Sequence, residues 1–304
     1  MSVLDSIGRT SLVLIENLNP NKKVKLCAKL EGANPGGSVK DRIAFYMVHV
    51  AESEGRLRKG STILEATSGN TGIGLAMVGA ARGYKVKLVM PACVSMERRR
   101  TLEALGAELV ISPPEEGTDG AIRLAKKIMA GSPGKESYFM PDQFNNRANV
   151  LAHYETTGRE VIEQTHGAVT HFVAGMGTTG TIMGTGRRLK EFRKEIKVIG
   201  VEPLLGHRIQ GLKNMTESIV PGIYDPNALD EKINVNDNDA FEAARRLAME
   251  EGLFVGMSSG AAFFGAVQVA KKIDEGTVVV VLPDRGDRYL STSLFASVCA
   301  KCPP

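Results

Sequence analysis

The chain has 304 residues, 43% of them hydrophobic and 24% charged, with a formal net charge of +4. Such a chain is globular, neither disordered nor fibrous, and long enough for one large or two moderate domains. The small charge suits anionic small-molecule ligands, and no concentrated basic stripe asks for nucleic acid.

In chain order, the N-terminus MSVLDSIGRT lacks a charged segment followed by an apolar one, and no apolar run approaches the length of a bilayer span. A cytoplasmic protein without membrane contact is expected. Short β-branched runs then alternate with longer helical patterns. Strands are expected at 24–30, 62–65, 85–90, 107–111, 169–174, 196–202 and 277–282, with helices at 39–55, 71–82, 119–130, 180–193, 237–251 and 259–273. This alternation implies an α/β fold of open, mostly parallel twisted sheets flanked by helices. Two βα series suggest two domains, 1–145 and 146–304, and the stretch 203–236 is the least regular. Arg98-Arg99-Arg100, in the helical SMERRRTLEALGA, reads as a solvated helix face or a subunit contact. The four cysteines make no disulfide framework. Cys27 and Cys93 read as buried thiols, and Cys299-x-x-Cys302, without a second ligand pair, as a tail and not a metal site.

Residues 37–42, GSVKDR, place Lys40 after a glycine-rich turn and near a helix start. Taken alone, a solvated charge is the ordinary reading of such a lysine. Three glycine-rich turns after strands change the weighting, because ligands of open parallel sheets collect there. GMGTTGT (175–181) matches the dinucleotide fingerprint, with Glu202 at the expected distance, but it lies past mid-chain. Its hydroxyls at Thr178, Thr179 and Thr181 equally make a cradle for a phosphate at a helix N-terminus. GMSSG (256–260) matches a nucleophile elbow, yet none of the five histidines follows Ser258, so a hydrolase fails on chain order. TSGNTG (67–72) offers several donors in one concavity and suits a carboxylate, with a plain helix cap as the bland alternative.

With Lys40 and these turns, the chain resembles the cysteine synthase (O-acetylserine sulfhydrylase) family of fold-type II pyridoxal phosphate (PLP) enzymes. The likeness runs through SIGRTSLV, KLEGANPGGSVKDR, EATSGNTGIGLA, QFNN, HYETTG, GMGTTGTI, GMSSGAA and RGDRYLST, the last resembling the B-type branch. It implies a tryptophan synthase β-like fold whose first strands cross to the second domain, and a homodimer. It implies that Lys40 carries PLP covalently and that Asn70 bonds the ring oxygen. Gly177, Thr178, Thr179, Gly180 and Thr181 would bind the phosphate, and Ser258 would face the ring nitrogen. Thr67, Ser68, Gly69, Thr71 and Gln143 would receive the substrate carboxylate. The implied reaction is β-replacement of O-acetylserine or O-phosphoserine by sulfide or thiosulfate through an α-aminoacrylate, giving L-cysteine or S-sulfocysteine. The glycines before Lys40 are expected to give the cofactor close access to the backbone.

Two departures stand out: Thr10-Ser11-Leu12 replaces the family's Thr-Pro-Leu, and the tail after LFASV is short. In GHRIQGLKNM (206–215), Lys213 is expected to favour a dianionic substrate if it points into the cleft, and Arg208 is a second cation there. Cystathionine β-synthase-like replacement is the alternative chemistry, and a catalytically inert homologue that binds a partner is the alternative class. Intact Lys40, Asn70 and Ser258 speak against inertness.

Overall fold

The computed structural model describes residues 2–67, 69–92, 94, 96–131, 138–216 and 219–295. Ser68, Cys93, Cys299 and Cys302 lie outside the described residues. The strands are β1 (Leu12–Leu14), β2 (Val24–Leu30), β3 (Thr62–Ala66), β4 (Lys85–Pro91), β5 (Glu108–Ser112), β6 (Tyr138–Phe139), β7 (His171–Gly175), β8 (Lys197–Pro203), β9 (Glu231–Val235) and β10 (Gly276–Leu282). The helices are α1 (Lys40–Ser53), α2 (Asn70–Arg82), α3 (Met96–Ala104), α4 (Gly117–Ala130), α5 (Arg147–Ala152), α6 (Gly158–Gln164), α7 (Gly180–Phe192), α8 (Asp237–Glu251) and α9 (Met257–Lys272). A π-helical turn, His153–Thr157, joins α5 to α6.

Two sheets form, in the orders β1-β2-β10-β7-β8-β9 and β5-β4-β3-β6. All pairings are parallel except β1 with β2. The first two strands therefore belong to the sheet completed by the second half of the chain. The apolar run of β10 explains itself in this setting. Val278, Val280 and Leu282 pack with α8 and α9, whereas Val279 and Val281 pack with α6 and α7 on the other face. A strand covered on both faces needs apolar residues at every position. In the smaller sheet, Ile63, Leu88 and Met90 face α1 and α2, and Leu64 and Val89 face Ala121 and Ala125 of α4.

Both strand orders reverse direction once. In the larger sheet the chain proceeds β7-β8-β9 and then returns to the other side of β7 as β10; in the smaller it proceeds β3-β4-β5 and returns beside β3 as β6. Crevices open at the carboxyl ends of strands where the order reverses. The 175–181 turn follows β7, the 67–71 turn follows β3, and Gln143 follows β6, so each lies at such a point.

The sequence misses β1, β6 and β9, which have five or fewer residues each, and the helical stretch from α5 to α6. That stretch reads as polar because its inward face is built around polar groups: Asn149, His153 and Thr157 are fully buried.

Candidate active site between the two sheets

Lys40 is placed by the end of β10. The Val39 N–H donates to the Pro283 carbonyl at 2.8 Å, and Ser38 pairs with Asp284 in an antiparallel bridge. This stitch sets the first residue of α1 at the carboxyl edge of the larger sheet. The preceding glycines make close contacts of their own. A Cβ on Gly36 would lie 2.5 Å from Asp41 Oδ1, and one on Gly37, at φ +79°, would lie 2.4 Å from Arg288 Nη2. They let the chain pack on its own Asp41 and Arg288.

Lys40 lines a cavity of about 670 Å³ together with Asn70, Thr71, Gln143, Gly177, Thr178, Thr179, Thr181, Lys213 and Ser258. Thr67, Gly69 and Gly180 are close in sequence to residues that line the cavity and do not line it themselves. Thr67 Oγ1 accepts from the Gly69 and Gly72 N–H groups at 3.1 and 3.2 Å, which shapes the turn. Thr71 Oγ1 donates to Gln143 Oε1 at 2.6 Å, and Gln143 Nε2 donates to the Ala66 carbonyl at 3.0 Å. Gln143 is held in turn by Glu65, whose carboxyl accepts the Asp142 and Gln143 N–H groups at 2.8 and 3.2 Å. Burial pushes Glu65 up to about 8 despite those bonds.

The 175–181 turn ends on Thr179, a β-branched residue at φ 68° in the left-handed region. Such backbone costs about 1–2 kcal/mol for an L-residue, so the surroundings must enforce it. They do so by close approach. A Cβ on Gly177 would lie 2.4 Å from the Gly211 carbonyl oxygen, and one on Gly180 1.8 Å from Asn149 Oδ1. Asn149 Nδ2 donates to Thr178 Oγ1 at 3.1 Å, and Thr181 Oγ1 lies 3.2 Å from His153 Nε2. Burial, with Arg42 and Lys40 adding to it, pushes His153 down to about 3, so this ring is neutral. The turn feeds the N-terminus of α7, whose first N–H groups and dipole favour an anion.

Burial likewise pushes the Lys40 amine down to about 8, against the opposing carboxylates of Asp284 and Glu31. Asn70 is fixed at both ends of its amide: Nδ2 donates to Asp284 Oδ2 and Oδ1 accepts from Arg288 Nη1, both at 2.6 Å. Asp284 Oδ2 also accepts from the Tyr289 hydroxyl at 2.6 Å. Arg98 completes this cluster and overturns its expected place. It is 1% exposed, its Nη2 donates to the Tyr289 oxygen at 2.5 Å, and a Cβ on Gly69 would meet its Cδ at 2.5 Å. Arg98 is therefore not on a solvated face; it supports the 67–71 turn from beneath.

Arg208 borders the cavity at its exposed edge, with its side chain 71% exposed and paired with Asp237. Lys213 is buried in the cavity wall, where it pairs with Asp119, a residue that no sequence pattern singled out. The sequence marked Arg98 only as one of three arginines and His153 only as part of HYETTG, neither with a role at the site. Glu65 did carry a signal, as a lone acid inside the apolar strand TILEA.

The model of the family described as "Pyridoxal-phosphate dependent enzyme" matches residues 3–284. The chain belongs to that family. Among its relatives, the cysteine synthase of Aquifex aeolicus is 49% identical, over 97% of this chain and 92% of its own. Cysteine synthase B of Salmonella typhimurium is 46% identical, over 95% of this chain and 94% of its own. Among solved structures, cysteine synthase from Entamoeba histolytica superposes with a TM-score of 0.90 at 39% identity, over 97% of this chain and 90% of that one. An O-ureido-L-serine synthase reaches 0.92 at 40% identity, over 99% and 96%.

The residues present fit the family's cofactor. Thr179 Oγ1 is buried with no partner among the described residues, directly at the helix N-terminus where a phosphate would sit. The PLP enzyme also has an amine of lowered basicity on the same cavity, and a 4% exposed serine hydroxyl, Ser258, in the first turn of α9. Among the described residues no cluster of side chains could hold a metal ion, and no helix is long and apolar enough to cross a membrane.

Proposed function

We propose that this PLP enzyme is a cysteine synthase. It replaces the β-substituent of an activated serine, O-acetylserine or O-phosphoserine, by sulfide or thiosulfate. The observation that carries the reading is that one cavity gathers the Lys40 amine, the Ser258 hydroxyl and the turns after β3 and β7. The names of the relatives support the same chemistry.

When bound, PLP supplies the electron sink that acidifies the Cα–H of an amino acid. Lys40 would hold it and would afterwards move the α-proton. An amine near pKa 8 is far more available in neutral form at neutral pH than an exposed lysine, which both tasks need. The N–H groups and hydroxyls of Gly177, Thr178, Thr179, Gly180 and Thr181 would hold the phosphate. Asn70, immobilised by Asp284 and Arg288, would bond the ring oxygen. Ser258 would face the ring nitrogen, where a neutral hydroxyl would not hold a proton as a carboxylate would. That would weaken the sink and favour loss of the β-substituent over reactions that need a long-lived carbanion.

Thr67, Ser68, Gly69, Thr71 and Gln143 orient the substrate carboxylate. Thr67 Oγ1 already accepts two N–H groups, so its own hydrogen is available to a carboxylate oxygen. The division into domains 1–145 and 146–304, a homodimeric state and a cytoplasmic location complete the reading.

The test is to mix the holoenzyme with O-acetylserine alone and then add sulfide. One equivalent of acetate before sulfide, and L-cysteine after it, is expected. Acetate that appears only with sulfide would sink the two-stage order, and no cysteine at all would sink the function. Homocysteine in place of sulfide reads cystathionine formation directly. Light scattering that reports a monomer would remove the dimer.

A further inference from the structure

One wall of the cavity carries a charge pair that the chemistry above does not use. Lys213 Nζ donates to Asp119 Oδ1 at 2.9 Å and lies 5.1 Å from the centre of the Phe144 ring. The lysine side chain is 9% exposed and the aspartate 25%. Each partner is anchored by its own element. The Lys213 N–H donates to the Met176 carbonyl at 2.8 Å, inside the 175–181 turn. Asp119 sits in the first turn of α4, on the smaller sheet, and its Oδ2 accepts the Ile219 N–H at 3.2 Å. The other cation of this loop, Arg208, also borders the cavity, but its side chain is largely exposed and is paired with Asp237. Lys213 is thus the buried cation of this loop, and Asp119 occupies it.

Resting on the cysteine synthase reading, we propose that Asp119 is a specificity-determining residue for the sulfur donor. By neutralising Lys213 it leaves this wall without net positive charge, so a small hydrosulfide monoanion is preferred over dianionic sulfur oxyanions. A dianion that sought Lys213 would have to displace a carboxylate and desolvate against it. Bare, the same ammonium would offer such an oxyanion a charge-assisted hydrogen bond, worth roughly ten- to a hundredfold in affinity.

The test uses holoenzyme in three forms: wild type, Asp119→Asn and Asp119→Asn with Lys213→Met. Two readouts are taken. The first is kcat/KM for thiosulfate relative to sulfide with O-acetylserine; the second is the Kd of inorganic sulfate by calorimetry, which needs no turnover. Asp119→Asn should raise the thiosulfate-to-sulfide ratio and tighten sulfate by roughly tenfold or more, and the added Lys213→Met should cancel both gains. An unchanged ratio overturns the proposal, and so does an equal loss for both donors, which would make the pair a clasp between the sheets. Should Asp119→Asn fail to fold, Lys213→Met alone decides: a masked lysine predicts less than about threefold loss of thiosulfate use, well under one charge-assisted bond, and a larger loss refutes masking. If wild type makes no cysteine, the function reading fails, whereas the sulfate titration still judges the pair.

Discussion

Arg98 and Tyr289 meet across 191 positions of sequence, with Nη2 2.5 Å from the phenol oxygen and the guanidinium carbon 4.7 Å from the ring centre. The contact joins α3 to the segment after β10, and a second tie lies beside it, where the Ser291 hydroxyl donates to Glu97 Oε2 at 2.7 Å. Because Tyr289 bonds Asp284, and Asp284 bonds Asn70, the arrangement reaches from α3 to a cavity residue through three side chains.

Arg98→Met should therefore destabilise the chain by about 3 kcal/mol, since it leaves a buried carboxylate, Asp284, short of a cation 3.6 Å away. Arg98→Lys should recover less than half, because an ammonium lacks the planar fork and the stacking face. Urea denaturation of the three proteins checks both statements.

Lys40 sets a pH dependence in the cofactor-free chain. Its native pKa, about 8, lies below its unfolded value near 10.5, so between those limits the unfolded chain binds more protons. Stability should rise with pH from 8 to 10.5 as the cost of burying an ammonium is lifted, and Lys40→Met should remove that rise. Reconstitution with PLP should speed up through a midpoint near 8. A midpoint above 10 in stopped-flow measurements would show the amine to be ordinary.

Glu65 gives the opposite slope. Its native pKa of about 8 exceeds the ordinary 4.5, so between these values the native state binds the extra proton and stability falls as pH rises. The slope cannot exceed about 1.4 kcal/mol per pH unit for one group. Glu65→Gln keeps an acceptor for the Asp142 and Gln143 N–H groups and should flatten thermal melts across this window.

Gly180→Ala should weaken PLP binding by displacing Asn149, whose Oδ1 lies 1.8 Å from the new Cβ position. Overpacking of this kind costs about 1–3 kcal/mol. Absorbance titration of the cofactor-free protein should show that loss, whereas Gly83→Ala, with nothing within 4 Å, should leave cofactor affinity as it is despite its own φ of +77°.

Much of the architecture was legible before any coordinates. The seven expected strands and six expected helices all exist, with ends displaced by no more than a few residues. They announced themselves because burial on both faces or on one stripe writes a local period into the chain. Short edge strands such as β1 and β9 gain their order from a neighbour and write no such period. The glycine-rich turns were legible for a related reason: a chain that must pass within a van der Waals radius of Asn149 or the Gly211 carbonyl has no choice but glycine.

What the sequence by itself determined was the set of elements and the residues proposed here to carry the chemistry, whose types are demanded locally: Lys40, the 67–71 and 175–181 turns, and Ser258. Only the tertiary structure decided which charges are shared. Arg98 looked solvated because a run of three arginines on a short helix is normally a wet surface, yet the far end of the chain supplies the ring and carboxylate that bury it. Lys213 looked like an open invitation to a dianion, yet Asp119, 94 residues earlier and on the other sheet, takes the ammonium first. A side chain's charge is local information, but whether that charge is available depends on partners that folding brings from anywhere in the chain.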